Sequence, residues 1–360
     1  MPSLTAAAVK ERALAMGFDL CGVALADRHP RLARLESWLA EGRAGDMTYL
    51  ADSADERADA REALPTARSV ISLAVVYNTS AAAAPSGGDR PIIARYARGE
   101  DYHAVIRGRL RRLLAWLADQ AGPGFEAFTC VDDGPVQERV FAEQAGLGWI
   151  GKNTCVINPQ LGSWIFLAEI VTSAELVPDG PAVDQCGTCT RCLDACPTGA
   201  LVAPYELDAT RCLSYLTIEQ RGWVGEEWRA AIGPRVFGCD ICQEVCPWNR
   251  RAAESDDPAW ATRPALAAPT LLDLCRWSDE EWHAVLRGSA MRRAGLRRLR
   301  RTLAFSTIDV PAETGVAALA LLESHPSASQ PEVADAIAWA RARIGTRQPP
   351  GAVEGGAALP

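Results

Sequence analysis

Twelve cysteines mark this 360-residue chain, and eight of them fall between Cys186 and Cys246. Cys186, Cys189, Cys192 and Cys196 stand as C-x2-C-x2-C-x3-C followed by Pro197. Cys239, Cys242 and Cys246, followed by Pro247, repeat the tight steps. This spacing holds pairs of [4Fe–4S] clusters, three cysteines of a run serving one cluster and the fourth crossing to the other. Short steps let thiolates converge on a cubane while backbone N–H groups point at its sulfurs, and the proline turns the chain after the crossing ligand. The second run lacks one ligand, and Cys212 is the nearest candidate. The expected sets are Cys186, Cys189, Cys192 and Cys246 on one cluster, and Cys196, Cys212, Cys239 and Cys242 on the other. Four cysteines at such spacing do not suit a single tetrahedral zinc site. Disulfides would need an oxidising compartment, and the opening Met-Pro-Ser-Leu-Thr lacks the basic-then-apolar pattern of an export signal.

The length exceeds what a cluster-binding module needs and predicts two or three domains. A hydrophobic content of 48% with 23% charged residues is ordinary for a globular chain. No run of about 18 apolar residues occurs, so a cytoplasmic location without membrane contact is expected. Cys21, Cys130, Cys155 and Cys275 are scattered singly and read as small buried hydrophobes. The net charge of −8 argues against broad nonspecific nucleic-acid binding, though a local basic face remains open.

Residues 5–18 and 31–42 have helical periodicity, with a short apolar strand from Asp19 between them. Ser69–Tyr77 is β-branched and long enough for a buried strand. Thr79–Asp89 reads as a flexible loop. Residues 102–119 form an amphipathic helix with Ile106, Leu110, Leu113, Leu114 and Leu117 on one face. A strand ending at Val131, the turn Asp132-Asp133-Gly134-Pro135, a helix over 136–145 and a strand over 164–171 follow. This gives an α+β or α/β domain over 1–175. The cysteine segment, 176–260, contains a helical insert after Cys212. From 261 the pattern is helix only, over 289–304, 313–323 and 331–343, which suggests a small α-solenoid over 261–345. Residues 346–360 read as a disordered tail.

Two clusters alone make an electron carrier; the preceding domain implies an electron consumer. It has no G-x-G-x-x-G opening a helix after a strand, and no Walker loop. Val131–Val136, Ala145-Gly-Leu-Gly-Trp-Ile-Gly-Lys-Asn-Thr154, Arg95–His103 and Ser214–Glu219, in order with the cysteines, resemble epoxyqueuosine reductases over nearly residues 5–345. The resemblance implies a cobalamin-dependent reductase that converts epoxyqueuosine to queuosine in the tRNA anticodon loop, the last step of queuosine biosynthesis. It implies an α+β fold with a nitroreductase-like cobalamin domain, a ferredoxin-like two-cluster domain and C-terminal HEAT-like repeats. The tRNA anticodon stem-loop and an external low-potential electron donor are the implied partners of a monomer.

Asp132 matches the family's proton donor. Removing an epoxide oxygen as water requires protons delivered to that oxygen, which a partly desolvated carboxyl can supply. Asp133 is the alternative, and a plain turn-capping role is the bland one. The implied corrinoid contacts are Arg57, Asp132, Lys152, Asn153, Ser214 and Gln243; for Arg57 a surface charge is the competing reading. For RNA, Arg292, Arg293, Arg297, Arg298, Arg300 and Arg301 crowd one short segment just after Arg287, and about half of them could face one phosphate track. Gln220 and Arg221 follow a matched motif and could approach the anticodon loop, with Arg293, Arg297 and Arg298 on the backbone. Two other classes compete: a cobalamin-dependent reductive dehalogenase of a small organohalide, and a non-catalytic ferredoxin-type electron carrier.

Overall fold

A computed structural model describes residues 4–79 and 88–346. The flexible loop expected at 79–89 lies largely outside the described residues, as does the tail from 347 onward. The first part of the chain runs α1 (Ala6–Ala15), β1 (Leu20–Leu25), α2 (Arg34–Ala40), three short helices α3 (Tyr49–Asp52), α4 (Ala54–Ala58) and α5 (Ala60–Ala63), then β2 (Ser69–Val76). After β3 (Ile92–Ile93) come α6 (Tyr102–Ala121), β4 (Ala127–Cys130), α7 (Glu138–Gln144), β5 (Trp149–Ile150), β6 (Val156–Ile157) and β7 (Ile165–Thr172).

Strands pair in the order β1-β2-β7-β4, each antiparallel to its neighbour. This antiparallel sheet decides for α+β. Every residue of β2 is buried, and alternate positions enter different layers. Ile71, Leu73 and Val75 pack with Ile106, Leu110, Leu113 and Leu117 of α6. Val70, Ala74 and Val76 pack with Val140 and Phe141 of α7. A central strand covered on both faces reads as a continuous apolar run, which is why 69–77 was visible in the sequence. Each such Leu or Ile contributes about 1.5–3 kcal/mol relative to exposure.

The cysteine segment adds α8 (Arg191–Asp194), a hairpin of β8 (Leu201–Ala203) and β9 (Glu206–Leu207), α9 (Leu213–Ile218), α10 (Glu226–Ile232), β10 (Arg235–Phe237) and α11 (Ile241–Glu244). Parallel pairing of β10 with β3 ties it to the first part of the chain. The two strands are too short to carry a periodic signal. The rest is helical: α12 (Leu271–Arg276), α13 (Asp279–Leu286), α14 (Gly295–Ser306), α15 (Ala312–Glu323) and α16 (Pro331–Gly345). Thr270 with Asp273 and Ser278 with Glu281 form capping boxes that start α12 and α13. The helix expected over 289–304 is broken: Ala290–Arg293 is a 3-10 turn, and Gly295, the first residue of α14, takes φ +69° to redirect the chain. One apolar core runs from Val9 through Phe237 and Trp260 to Ile344, across all three segments. Among the described residues no helix is long and apolar enough to cross a membrane.

Candidate active site and cysteine centre

Between the sheet and the cysteine segment lies a cavity of about 1040 Å³, walled by Tyr77, Tyr96, Tyr102, Phe166, Arg57, Asp132, Glu138, Tyr205 and Ser214 among others. That volume is at the upper end for small-molecule sites and has room for a large ligand. The floor is aromatic: Tyr102 stacks on Phe166 with ring centres 4.4 Å apart, and Tyr77 packs on the same ring.

Asp132 follows β4 with φ +60°, a left-handed conformation that Asp tolerates better than most residues. Its backbone N–H donates to Glu138 Oε1 at 2.6 Å, and its Oδ2 accepts from the Tyr102 hydroxyl at 2.5 Å. Two residues on, a Cβ at Gly134 would sit 2.2 Å from that of Cys130, so the turn closes only with glycine there. Asp133 turns the other way: it accepts from the Val131 N–H and pairs with Arg107 on α6. Of the two acids, Asp132 is the one on the cavity wall.

Arg57, on α4, bonds Ser53 Oγ at 2.9 Å and reaches the Val136 carbonyl. Gln137 in turn donates to the carbonyls of Arg57 and Leu32, tying this wall to the loop after Asp132. Ser214, in the first turn of α9, also lines the cavity. The remaining corrinoid candidates do not line the cavity. Lys152 Nζ is capped by the carbonyls of Gly187 and Cys189, at 2.6 and 3.0 Å. Asn153 donates to the Cys242 carbonyl. Gln243 bonds Ser163 Oγ and, at 3.4 Å, the Tyr77 hydroxyl. These three sit one layer behind, between cavity and cysteines, because the loops that bear them fold onto the cysteine runs.

The cysteines form two groups. Cys186, Cys189, Cys192 and Cys246 line one small pocket with Trp248. Cys212, Cys239 and Cys242 interact with one another, and Cys196 with Cys212. Backbone N–H groups point at the sulfurs: Lys152 at Cys186, Ala200 at Cys196, Ser214 and Tyr215 at Cys212, Ile241 at Cys239, and Trp248 at Cys246. The Trp149 indole N–H also reaches Cys186 Sγ, at 3.4 Å. Oriented donors stabilise thiolate and sulfide charge, so the donor set suits an iron–sulfur cluster. Cys155, read as a scattered core residue, interacts with Cys242, a neighbour far off in sequence that no spacing signals.

The matched stretches now carry names. Residues 57–133 match the family described as epoxyqueuosine reductase QueG, and residues 185–249 match a 4Fe-4S double cluster binding domain. An epoxyqueuosine reductase from Xanthomonas campestris is 42% identical over 96% of this chain and 98% of its own length. The chain belongs to the epoxyqueuosine reductase family. It is therefore an oxidoreductase. The Escherichia coli K12 member is 38% identical over 93% of this chain and 88% of its own. A solved epoxyqueuosine reductase holding an epoxyqueuosine-modified tRNA-Tyr stem loop superposes with a TM-score of 0.86 at 32% identity, covering 94% of this chain and 90% of that one. The Bacillus subtilis member, at 0.83 and 30% identity over 94% and 90% of the two chains, was solved with an aspartate-bearing catalytic loop swung out of its active site.

Basic side chains at the mouth behave differently from one another. Arg221 and Arg293 are exposed, Arg293 pairing with Glu219 and lying over the Tyr49 ring. Arg297 pairs with Glu332 at 2.7 Å, and Arg298 donates to the Arg293 carbonyl. Burial lowers the Arg298 pKa, opposed by Glu219, and the neighbouring Arg297, Arg221 and Arg293 lower it further, so the four guanidinium groups form one patch. Arg300 and Arg301 are 1% exposed and leave the candidate RNA face. Arg300 bonds Asp279 and Ser327; Arg301 clamps the carbonyls of Leu216, Gln220 and Gly222, shaping the loop that presents Arg221. The Gln220 side chain is held by the Trp223 carbonyl. Sequence reasoning missed Tyr102, Glu138 and Trp223. Tyr102 stood inside a matched motif, but nothing in its spacing paired it with Asp132.

Proposed function

We propose that this chain reduces epoxyqueuosine to queuosine in the anticodon loop of tRNA, with cobalamin in the large cavity and two [4Fe–4S] clusters on the cysteine groups. The observation that carries the reading is the Asp132–Tyr102 pair on the wall of a cavity that also abuts, through Tyr77 and Gln243, the Cys242 loop. The cavity's size and its mixed aromatic and polar walls suit a corrinoid, with Arg57, Asp132 and Ser214 as direct contacts and Lys152, Asn153 and Gln243 supporting the cysteine loops behind it. When bound, cobalamin would supply a low-potential metal able to pass electrons to carbon.

The chain's own residues do the rest. Asp132 gives a proton to the epoxide oxygen as its C–O bond breaks, and Tyr102 fixes the carboxyl by its hydrogen bond. The cysteine sets, Cys186, Cys189, Cys192 with Cys246 and Cys196, Cys212, Cys239 with Cys242, hold the electron relay from an external low-potential donor. Arg221, Arg293, Arg297 and Arg298 receive phosphates, with Gln220 beside them, despite the acidic whole. Exposed Trp223 and Tyr49 offer stacking faces to an unpaired base, since sequence-specific RNA recognition targets unstacked loops. This patch favours a polyanion over a small organohalide. The antiparallel sheet fits a nitroreductase-like cobalamin domain over 1–175, followed by the ferredoxin-like segment to 260 and a HEAT-like cap to 345, in a cytoplasmic monomer.

Complementation tests the reading. In a bacterial strain lacking its epoxyqueuosine reductase, expression of this chain restores queuosine to bulk tRNA, and expression of the Asp132→Asn variant leaves epoxyqueuosine. Persistence of epoxyqueuosine with soluble wild-type protein and adequate cobalamin overturns it.

A further inference from the structure

Removing an epoxide oxygen as water breaks two C–O bonds, forms one C=C bond, and takes up two electrons and two protons. A single carboxyl such as Asp132 can deliver only one of these protons. The structure places a second acid immediately behind it.

Glu169 is on β7, where it pairs with Ser72 of β2 on one side and Cys130 of β4 on the other. All three side chains face α7, the layer that also holds Val70 and Ala74. Glu169 is 0% exposed; its Oε1 accepts from Ser72 Oγ at 3.1 Å. Its carboxyl lies beside that of Glu138 from α7: one oxygen of each, with Cys130 Sγ, falls within 4.8 Å of the others. Among the described residues Glu169 Oε2 is buried without a hydrogen-bond partner; two ionised carboxylates are acceptors only and repel at this range, so one proton shared between them relieves both. Glu138 lines the cavity and its Oε1 holds the backbone N–H of Asp132 at 2.6 Å. The pair thus touches the reaction space on one side and the closed sheet interior on the other.

We propose that Glu138 and Glu169 share one proton and that Glu138 delivers it as the second proton of the reduction, with Glu169 as the positioning residue that keeps it there. This rests on the function proposed above. Asp132 protonates the oxygen as the first C–O bond breaks, and the proton of the pair completes water as the second breaks. Both electrons come from the external donor through the cysteine centre. The pair, left as a dianion, recovers its proton from solvent through the cavity.

The surroundings support this. Burial, then the charge of Asp132, raise the Glu138 pKa to about 8, opposed by the Asp132 N–H, by Glu169 and by Arg139. Burial and Glu138 raise that of Glu169 well above the carboxylate range, opposed by Ser72. Cys130, itself raised by burial, Tyr102 beside Asp132, and more distantly Arg57 are the other titratable groups near the pair. Both shifts favour the protonated form of the pair near neutral pH. At the same time Glu138 Oε1 accepts the Asp132 N–H and so helps to hold the Asp132 turn closed.

Two variants and two readouts test the proposal. Glu138→Gln keeps an amide oxygen for the Asp132 N–H; Glu169→Gln keeps a donor toward Glu138. Infrared difference spectra of the reconstituted protein titrated between pH 6 and pH 10 should show a protonated carboxyl band that disappears with rising pH and is missing in both variants. This readout needs no substrate. Single-turnover rates on an epoxyqueuosine stem loop should fall roughly tenfold per pH unit above about 8 in the wild type. Both variants should be slow, with that limb gone, while bound cobalamin and stem-loop affinity stay within twofold. A wild-type infrared spectrum without the band, or variants that keep the wild-type pH limb, would overturn the proposal. If the band behaves as described but the wild type turns over no epoxyqueuosine, the functional reading fails and the shared proton stands.

Discussion

Replacing Tyr102 by Phe isolates one hydrogen bond at the candidate active site. Tyr102 is 7% exposed, stacks on Phe166 with an interplanar angle of 7°, and donates its hydroxyl to Asp132 Oδ2 at 2.5 Å. Phenylalanine keeps the ring, the stacking and the burial, so the fold should lose at most about 1 kcal/mol. The loss falls on the carboxyl. A hydrogen bond to a charged group is worth about 1.5–3 kcal/mol, and each 1.36 kcal/mol is tenfold in rate. If the bond acts by fixing the carboxyl in the reactive position, single-turnover reduction of an epoxyqueuosine stem loop should slow by about 10- to 150-fold. Cobalamin content, iron content and stem-loop affinity should stay unchanged. Anaerobic rapid quench with nucleoside analysis measures the rate directly. A Phe variant that reduces substrate at the wild-type rate would show that Tyr102 does not prepare Asp132, and the pairing would lose its mechanistic meaning.

Other outcomes follow from the same geometry. Asp132→Asn should retain iron and cobalamin yet lose turnover by more than 100-fold in the same assay. Replacing Arg293, Arg297 and Arg298 with Ala should weaken stem-loop binding and reduce the slope of log affinity against log salt by about one for each phosphate contact removed, as measured by anisotropy titration. Arg301→Met should behave differently: losing a buried guanidinium with its carbonyl partners should cost about 3–5 kcal/mol by thermal unfolding, and release the 216–222 loop to proteolysis. The buried acid pair links stability to pH. Its folded pKa values are raised, so the native state holds more protons than the unfolded one. Stability is full below the ordinary carboxylate range and declines as pH rises toward the folded value, about 8 for Glu138. Glu169→Gln should flatten that decline in denaturant titrations between pH 5 and pH 9.

Much of this was legible in the sequence because its signals are local. Cluster ligation depends on C-x2-C steps, and a strand buried on both faces, such as Ser69–Val76, needs an unbroken apolar run. The turn at Asp132 carried Gly and Pro beside paired acids. What the sequence withheld depends on register between distant strands. Glu169 meets Glu138 only because β7 lies between β2 and β4, and no spacing encodes that. Cys155 meets Cys242 through a loop closure of the same kind. Among the arginines of 292–301, helical phase alone could not separate the exposed patch from Arg300 and Arg301, since the last two are buried by partners on other elements. Lys152 likewise had the right motif and the wrong neighbour: its ammonium is consumed by the Gly187 and Cys189 carbonyls.

In the proposed reaction, electrons from the cysteine centre remove the epoxide oxygen of a tRNA nucleoside in the cavity beside Asp132. The most direct test is an anaerobic reaction of reduced, cluster-reconstituted protein with epoxyqueuosine tRNA, with and without cobalamin, followed by nuclease digestion and mass spectrometry. A nucleoside lighter by one oxygen, formed only when cobalamin is bound and only with Asp132 intact, is the predicted result. Unchanged epoxyqueuosine after incubation with protein carrying full iron and bound cobalamin would contradict it.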